Sequence, residues 1–147
     1  MLRTINPLLS PDLLHILASM GHGSDLVIAD ANFPGAQFAE ETGCRYVRLD
    51  GIPATDILSA VLGLMPLDDF IDDPAVVMEV VGNPTEIPPV VAAFQTIVND
   101  VADNPATLSK LERFAFYDKA RKAYAIVQSG ETRLYGNIIV TKGVVRQ

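Results

Sequence analysis

The sequence has few of the residues that hold small folds together through covalent or metal bonds. Its 147 residues include a single cysteine, Cys44, and two histidines, so no internal disulfide can form and no zinc-finger spacing exists. Folding therefore depends on an apolar core, for which 49% of the residues are available. A chain of this length buries roughly 68–70% of its unfolded surface. We expect one domain over residues 1–147 and no bound metal.

Basic residues and long apolar runs are also scarce. Lysines and arginines number 11 against 18 aspartates and glutamates, and the net charge is −7, which disfavours nucleic acid and anionic membranes as partners. The best apolar stretch, residues 57–67, is broken by Pro66 and falls short of the ~18 residues that a membrane span needs. Arg3 and Pro7 interrupt the start before a signal-peptide core develops. We therefore expect a cytoplasmic protein.

Helical and strand patterns alternate along the chain. Ser10 is a good N-cap ahead of Pro11, and apolar residues then recur at helical spacing as far as Met20, with Gly21 as the expected left-handed stop. The other predicted helices are 55–64, 89–101 and 114–122, and the predicted strands are 26–29, 45–49, 76–81, 107–112, 123–128 and a last one through 138–140, with a turn at 32–35. This alternation predicts a single-domain α/β fold, a three-layer sandwich around a mostly parallel central sheet.

Two histidines are available as a general acid or base near neutral pH. His15 lies inside the first predicted helix, where a solvated or structurally satisfied ring is the simpler interpretation. His22 follows that helix between Gly21 and Gly23, where two missing side chains leave room for a ligand. The negative end of the helix dipole favours a protonated ring by about 0.3–1 kcal/mol. His22 is the candidate proton donor, and a histidine that only decorates the helix end is the alternative.

Asp30 ends the first predicted strand, eight residues after His22. Ligand sites in open α/β sheets form outside the carboxyl ends of the strands, so we expect Asp30 to face the binding crevice. An Asx turn leading into Asn32 is the structural alternative. A second acidic group lacks the glycine and the terminal glutamate of a calcium loop and is interpreted as a solvated loop. It consists of Asp68, Asp69, Asp72 and Asp73.

Three short patterns near the C-terminus combine aromatic and hydrogen-bonding residues. They are Arg-Phe-Ala-Phe-Tyr at 113–117, Gly-Glu at 130–131 and Tyr-Gly-Asn at 135–137. Together they offer an aromatic face for a pyranose ring and polar groups for its hydroxyls. Each also has an ordinary interpretation, with Phe114 and Phe116 in the core and Arg113 paired with Asp118. No phosphate loop, nucleophile elbow or zinc-binding helix motif accompanies them.

Five segments, in order between Ser10 and Gly143, resemble one branch of a known family. They are Met-Gly-His-Gly at 20–23, Ala-Asp-Ala-Asn-Phe-Pro at 29–34, Arg-Leu-Asp-Gly at 48–51, Lys-Leu-Glu-Arg-Phe-Ala-Phe-Tyr at 110–117 and Tyr-Gly-Asn-Ile-Ile at 135–139. The branch is that of the L-fucose mutarotases, in the family that also contains D-ribose pyranase. The pyranase branch is less similar, since it lacks the Arg-Phe-x-Phe-Tyr block and tends to carry Tyr-Ala-Asn.

The resemblance implies an α/β subunit that needs no cofactor and acts on a monosaccharide, with L-fucose favoured. It also implies a homo-oligomer, commonly a decamer built from rings, whose sites are completed by neighbouring subunits. The implied proton donor is His22, and the implied substrate contacts are Asp30, Arg113, Tyr117, Tyr135, Gly136 and Asn137.

The hypothesis for mutarotation is that His22 protonates the ring oxygen while Asp30 binds a hydroxyl and helps fix the protonation state of the imidazole. Asp30, a tyrosine and a water all stay open as the base. The alternative functions are pyranose-furanose conversion of ribose, a sugar-binding accessory of a transport system, and a structural oligomer without a ligand.

Overall fold

A six-stranded sheet runs through the middle of the protein in the computed structural model, which describes residues 1–147. The strands are β1 (Asp25–Ala29), β2 (Arg45–Leu49), β3 (Ala75–Met78), β4 (Ser109–Leu111), β5 (Ala125–Ser129) and β6 (Ile138–Thr141). The helices are α1 (Pro11–Ser19), α2 (Gly35–Thr42), α3 (Ala54–Leu62), α4 (Pro89–Val101) and α5 (Arg113–Arg121). The strand order is β2-β5-β1-β6-β3-β4, and β6 alone runs antiparallel to its neighbours.

Helices cover both faces of this sheet. The larger core lies between one face and α1, α3 and α4, and includes the fully buried Leu13, Ile57 and Phe94. The smaller core lies between the other face and α2 and α5, around Phe38 and Phe116. Strands buried on both faces carry continuous apolar runs, as in Leu26–Ala29 of β1. The predicted three-layer α/β fold with a mostly parallel sheet is confirmed. No helix combines the length and the apolar character that crossing a membrane requires.

Helix α1 begins as predicted but ends differently. The Ser10 hydroxyl accepts a hydrogen bond from the Leu13 amide at 3.2 Å, which satisfies one free N–H of the first turn. At the other end Met20 is extended, and it is Gly23, with φ +81°, that takes the left-handed conformation expected of Gly21. The Lys142 ammonium donates to the Leu17 and Met20 carbonyls, both at 2.8 Å. The ammonium group of Lys142, the residue after β6, therefore caps the helix where a left-handed glycine was expected.

Helix α2 is absent from the sequence prediction, and β3 is shorter than predicted. Only Gly35 and Phe38 are buried in α2, and no side chain caps its start. The segment therefore has neither the apolar stripe nor the capping residue that would mark it as a helix in the sequence. Strand β3 stops at Met78 because the chain turns, and the Val81 amide donates to the hydroxyl of Tyr135 instead of to a neighbouring strand.

The strand directions sort the loops onto two opposite edges of the sheet. Asp30 follows the carboxyl end of β1, and Asn137 precedes the antiparallel β6, so both lie at one edge. His22 precedes β1 and lies at the other edge, together with Lys142 at the end of β6. The edge that carries Asp30 is the one at which ligand sites of α/β sheets form.

Candidate active site

A buried pair of polar residues, Asp30 and Asn137, forms the base of the candidate site. The Asn137 amide group donates to Asp30 Oδ2 at 2.9 Å, and its Oδ1 accepts from the Asp30 backbone N–H at 2.8 Å. The Asn32 amide donates to Asp30 Oδ1 at 3.0 Å, so the Asx turn considered as an alternative is present as well. Burial raises the pKa of Asp30 above its ordinary value, and these hydrogen bonds oppose the rise only in part. The result is a carboxyl group with a fixed orientation.

A cavity of about 210 Å³ opens above this pair. It is smaller than the roughly 300–1,000 Å³ of pockets for drug-sized molecules, which suits a ligand of monosaccharide size. Its lining mixes polar and apolar side chains: Asp30, Asn32, Phe33, Met78, Val81, Arg113, Tyr117, Leu134, Tyr135 and Asn137. Polar groups at the base and carbon-rich walls fit a molecule with hydroxyls on its edge and C–H bonds on its faces.

Tyr135 forms one wall of the cavity and has an unusual backbone conformation. Its φ of 64° lies in the left-handed region, which costs a residue other than glycine on the order of 1–3 kcal/mol unless its surroundings enforce it. Its hydroxyl accepts from the Val81 amide at 3.0 Å. The next residue, Gly136, is packed tightly, since a Cβ there would lie 2.6 Å from Glu131 Cγ and 3.4 Å from Asp30 Cβ. The Tyr-Gly-Asn segment is therefore shaped by its contacts with Asp30 and Glu131.

The Glu131 side chain packs against the Tyr-Gly-Asn segment at Gly136. It is 4% exposed, and its carboxylate accepts from the Arg133 Nε and guanidinium NH₂, both at 2.8 Å. The Arg133 hydrogen bond lowers the pKa of Glu131 to about 2. The Glu131 carbonyl accepts from the Ala31 amide at 2.8 Å, which ties this loop to the turn after Asp30. Sequence reasoning noted Glu131 but missed this role, although the opposite charges two residues apart in one loop were a visible signal.

Arg113 and Tyr117 lie one turn apart at the start of α5. The Arg113 Nε donates to the Tyr117 hydroxyl at 3.3 Å, and the carboxylate of Glu112 caps the helix by accepting from two amides. Arg113 is exposed and is not paired with Asp118, which lies 3.8 Å from Arg121 instead. The two phenylalanines of the block divide, with Phe116 in the core and Phe114 exposed. The guanidinium forms no ion pair, and its terminal NH₂ groups can meet a ligand entering the cavity.

His22 does not line this cavity. The five residues of β1, which span roughly 16 Å at 3.3 Å per residue, separate its edge of the sheet from that of Asp30. The predicted cooperation of His22 with Asp30 is therefore not formed within one chain. The His22 imidazole is 45% exposed, and its Nε2 lies 3.0 Å from Oδ1 of Asp68.

The acidic group at 68–73 is not the uniform solvated loop that the sequence predicted. Asp68 is only 2% exposed and bonds to His22, whereas Asp69, Asp72 and Asp73 are exposed. Asp69 pairs with Arg146 at 2.6 Å. The prediction failed at Asp68 because its partner is 46 residues away in the chain. His15 lies exposed on α1, as expected of a histidine without a ligand.

No group of three or more histidine, cysteine, aspartate or glutamate side chains has the geometry of a metal site. The side chains at the two edges can transfer protons and form hydrogen bonds. One edge offers a cavity with a fixed carboxyl, an amide, an arginine and two tyrosines. The other offers an exposed imidazole backed by a buried carboxylate.

Comparison with known proteins identifies similar chains over the whole length. The model of the RbsD / FucU transport protein family matches residues 3–145. The fucose mutarotase of Homo sapiens is 44% identical over 147 residues, which cover 98% of this chain and 94% of that protein. The L-fucose mutarotase of Histophilus somni strain 2336 is 41% identical, covering 98% of this chain and 97% of that one.

A solved structure shares the architecture as well. The crystal structure of the fucose mutarotase from Streptococcus pneumoniae in complex with L-fucose superposes with a TM-score of 0.89 at 41% identity, covering 99% of this chain and all of that one (100%). The resemblance to the fucose mutarotase branch, drawn from five short segments, is thus confirmed over nearly the full chain.

Proposed function

The chain belongs to the RbsD / FucU transport protein family, and from this membership we propose that it is a mutarotase interconverting the α and β anomers of L-fucopyranose. The observation that carries the proposal is full-length similarity to fucose mutarotases together with a monosaccharide-sized cavity built on the Asp30 and Asn137 pair. The reaction class is isomerisation by acid and base.

Mutarotation opens the pyranose ring and closes it on the other face. The C1–O5 bond breaks, its electron pair goes to O5 with a proton from an acid, and the anomeric hydroxyl passes its proton to a base, which is Asp30, a tyrosine or water, as the C1 carbonyl forms. After rotation about the C1–C2 bond has presented the other face of the C1 carbonyl to O5, closure reverses both proton transfers. Each positioned acid or base raises the rate on the order of 10²–10⁴-fold. The sugar is neither oxidised nor reduced.

We propose that five side chains hold the hydroxyls and that the backbone of Gly136 adds a further contact between two of them; the five are Asp30, Asn137, Arg113, Tyr117 and Tyr135. All five side chains line the cavity, and the hydrogen bonds between Asp30 and Asn137 fix the acceptors before a sugar arrives. Arg113 and the tyrosine hydroxyls supply donors at the mouth. Groups already held in place bind a hydroxylated ligand at a smaller entropic cost than mobile ones.

The proposed proton donor, His22, reaches the sugar from a neighbouring subunit. Exposed Phe70 lies beside His22, and exposed Ile71 follows it in the chain, while exposed Val81 and Leu134 border the cavity. A contact between two different patches of identical subunits is heterologous, and it generates a closed ring when the rotation permits. We propose a homo-oligomer on this basis, the ring-based decamer that the family resemblance implies. The proposed compartment is the cytoplasm, where the lone Cys44 stays reduced.

Anomer exchange tests the proposal. Saturation transfer between the anomeric protons of L-fucose measures the exchange rate, and galactose, ribose and glucose give the specificity. We expect His22→Ala to reduce the enzymatic exchange rate by about 10²–10⁴-fold. His15→Ala, which removes the exposed histidine of α1, is the matched control and should leave the rate unchanged. Exchange that is as fast with His22→Ala as with the wild type would refute the assignment.

Subunit complementation tests the shared site. His22→Ala and Asp30→Ala are each expected to be inactive alone, but co-expression forms some sites that join an intact cavity to an intact His22. Activity in the mixed assembly supports a site shared between subunits. Two results would oppose it: a mixture as inactive as its parents, or light scattering showing a 15.9 kDa monomer at assay concentration.

A further inference from the structure

We propose that Asp68 positions the His22 imidazole so that Nδ1, and not Nε2, exchanges the proton with the sugar. The inference rests on the proposed role of His22 as proton donor. It assigns a function to a buried carboxylate that lies far from the cavity, and it names the reacting atom of the histidine.

The hydrogen bond between the two side chains determines which ring nitrogen is protonated. Asp68 Oδ1 lies 3.0 Å from His22 Nε2, and it also accepts from the Phe70 amide at 3.1 Å. A carboxylate oxygen only accepts, so Nε2 carries the hydrogen in this pair. In the neutral ring Nδ1 then carries the lone pair. Nδ1 has no hydrogen-bond partner within the chain, and nearly half of the side chain is open to solvent.

The segment that carries Asp68 is anchored from several directions. The Asp68 amide donates to the Thr141 carbonyl at 3.0 Å. Asp103 accepts from the Leu67 amide at 2.9 Å, and Asn104 donates to the Leu67 carbonyl at 3.2 Å. These anchors at Leu67 and Asp68 keep the Asp68 carboxylate within hydrogen-bond distance of His22 Nε2.

The loop that carries His22 is anchored to the same strand end. The Gly23 amide donates to the Lys142 carbonyl at 2.9 Å, one residue after Thr141. Gly143 packs directly against the Asp68 segment, since a Cβ there would lie 2.9 Å from Asp68 Cα. The end of β6 therefore sets the distance between the two partners. The Phe70 ring, centred 5.0 Å from the imidazole, limits its rotation further.

This arrangement defines the proton route. During ring opening the imidazolium gives its Nδ1 proton to O5, and the C1–O5 electron pair moves to that oxygen. On closure Nδ1 takes the proton back, while the Nε2 proton stays on the hydrogen bond to Asp68. A carboxylate held at Nε2 keeps the ring in the reactive tautomer and stabilises the imidazolium, as the aspartate of a catalytic triad does.

The first test is a ¹⁵N NMR spectrum of the protein labelled at histidine. The chain has two histidines, so spectra of His22→Ala and His15→Ala assign both rings. We expect neutral His22 in the wild type to be the Nε2–H tautomer, with that preference retained in Asp68→Asn, whose side-chain oxygen still accepts, and lost in Asp68→Ala. A wild-type ring protonated at Nδ1 would overturn the proposal without any variant.

The second test is kinetic. We expect Asp68→Ala to lower the maximal anomer-exchange rate about 10–100-fold, the loss that is typical when a partner that orients a metal-bound histidine is removed, with the half-saturating fucose concentration unchanged. Asp68→Asn should recover part of the rate. Asp72→Ala is the control, since Asp72 is an exposed residue of the same loop.

The outcomes separate this inference from the proposed function. If His22→Ala abolishes exchange while Asp68→Ala and Asp68→Asn stay within twofold of the wild type, the positioning role is wrong and the function stands. If His22→Ala has no effect, the proposed function itself fails at that residue. If Asp68→Ala does not fold, Asp68→Asn and the wild-type tautomer decide the question.

Discussion

Replacing Glu131 by glutamine removes the charge that supports the Tyr-Gly-Asn segment. Its pKa falls from 4.5 to about 2 in the folded protein, which corresponds to about 3 kcal/mol at 1.36 kcal/mol per pKa unit. Arg133 is 46% exposed, and solvent screening of its half of the pair reduces the net value to about 1–2 kcal/mol. Because the folded-state pKa is lowered, this stabilisation is complete above pH 4.5 and disappears as the pH falls towards 2.

Urea unfolding at a fixed protein concentration measures this effect. Glu131→Gln should be less stable than the wild type by about 1–2 kcal/mol at pH 7, and the difference should shrink steadily as the pH falls to 2.5. Glu40→Gln, at an exposed residue with no ion pair, should run parallel to the wild type. A gap between Glu131→Gln and wild type that is equally large at pH 7 and pH 2.5 would refute the assigned charge interaction.

Two further substitutions probe how the cavity wall is built. Gly136→Ala should destabilise the protein by about 1–3 kcal/mol through overpacking against Glu131. Gly21→Ala is the control and should be close to neutral, because a Cβ there would meet nothing within 4 Å. Equal losses of stability for the two variants in urea unfolding would contradict this. Tyr135→Phe leaves the Val81 amide without its acceptor. We therefore expect a higher half-saturating fucose concentration in the anomer-exchange assay, with little loss of stability. An unchanged half-saturating concentration would show that the hydroxyl is dispensable.

Much of the fold follows from local signals. The Ser10 cap, the apolar run of β1 and the long apolar face of α4 act over short distances, and all three elements form where they were predicted. Helix α2 was missed because only Gly35 and Phe38 among its residues contact the core. Its stability comes from packing on the sheet and α5, which no local pattern reports.

The candidate site was predictable only in part, because its residues come together through contacts between distant parts of the chain. Asp30 and Asn137 are 107 residues apart, and nothing local shows that β6 runs antiparallel beside β1 and brings them together. The rule that ligands bind at carboxyl ends of strands led to Asp30, and family resemblance led to the others. The partnership of His22 with Asp68 left no sequence signal, because it joins two loops 46 residues apart.

The antiparallel direction of β6 places its two ends beside the two parts of the proposed site. Its first end carries Asn137 beside Asp30 at the cavity, and its last end carries Lys142, which caps α1 and holds the loop of His22 at the opposite edge. Both halves are thus made rigid by the same strand, and the length of β1 keeps them apart. In the proposed assembly the imidazole of one copy meets the cavity of another, so the proposed activity should depend on protein concentration wherever dilution dissociates the assembly.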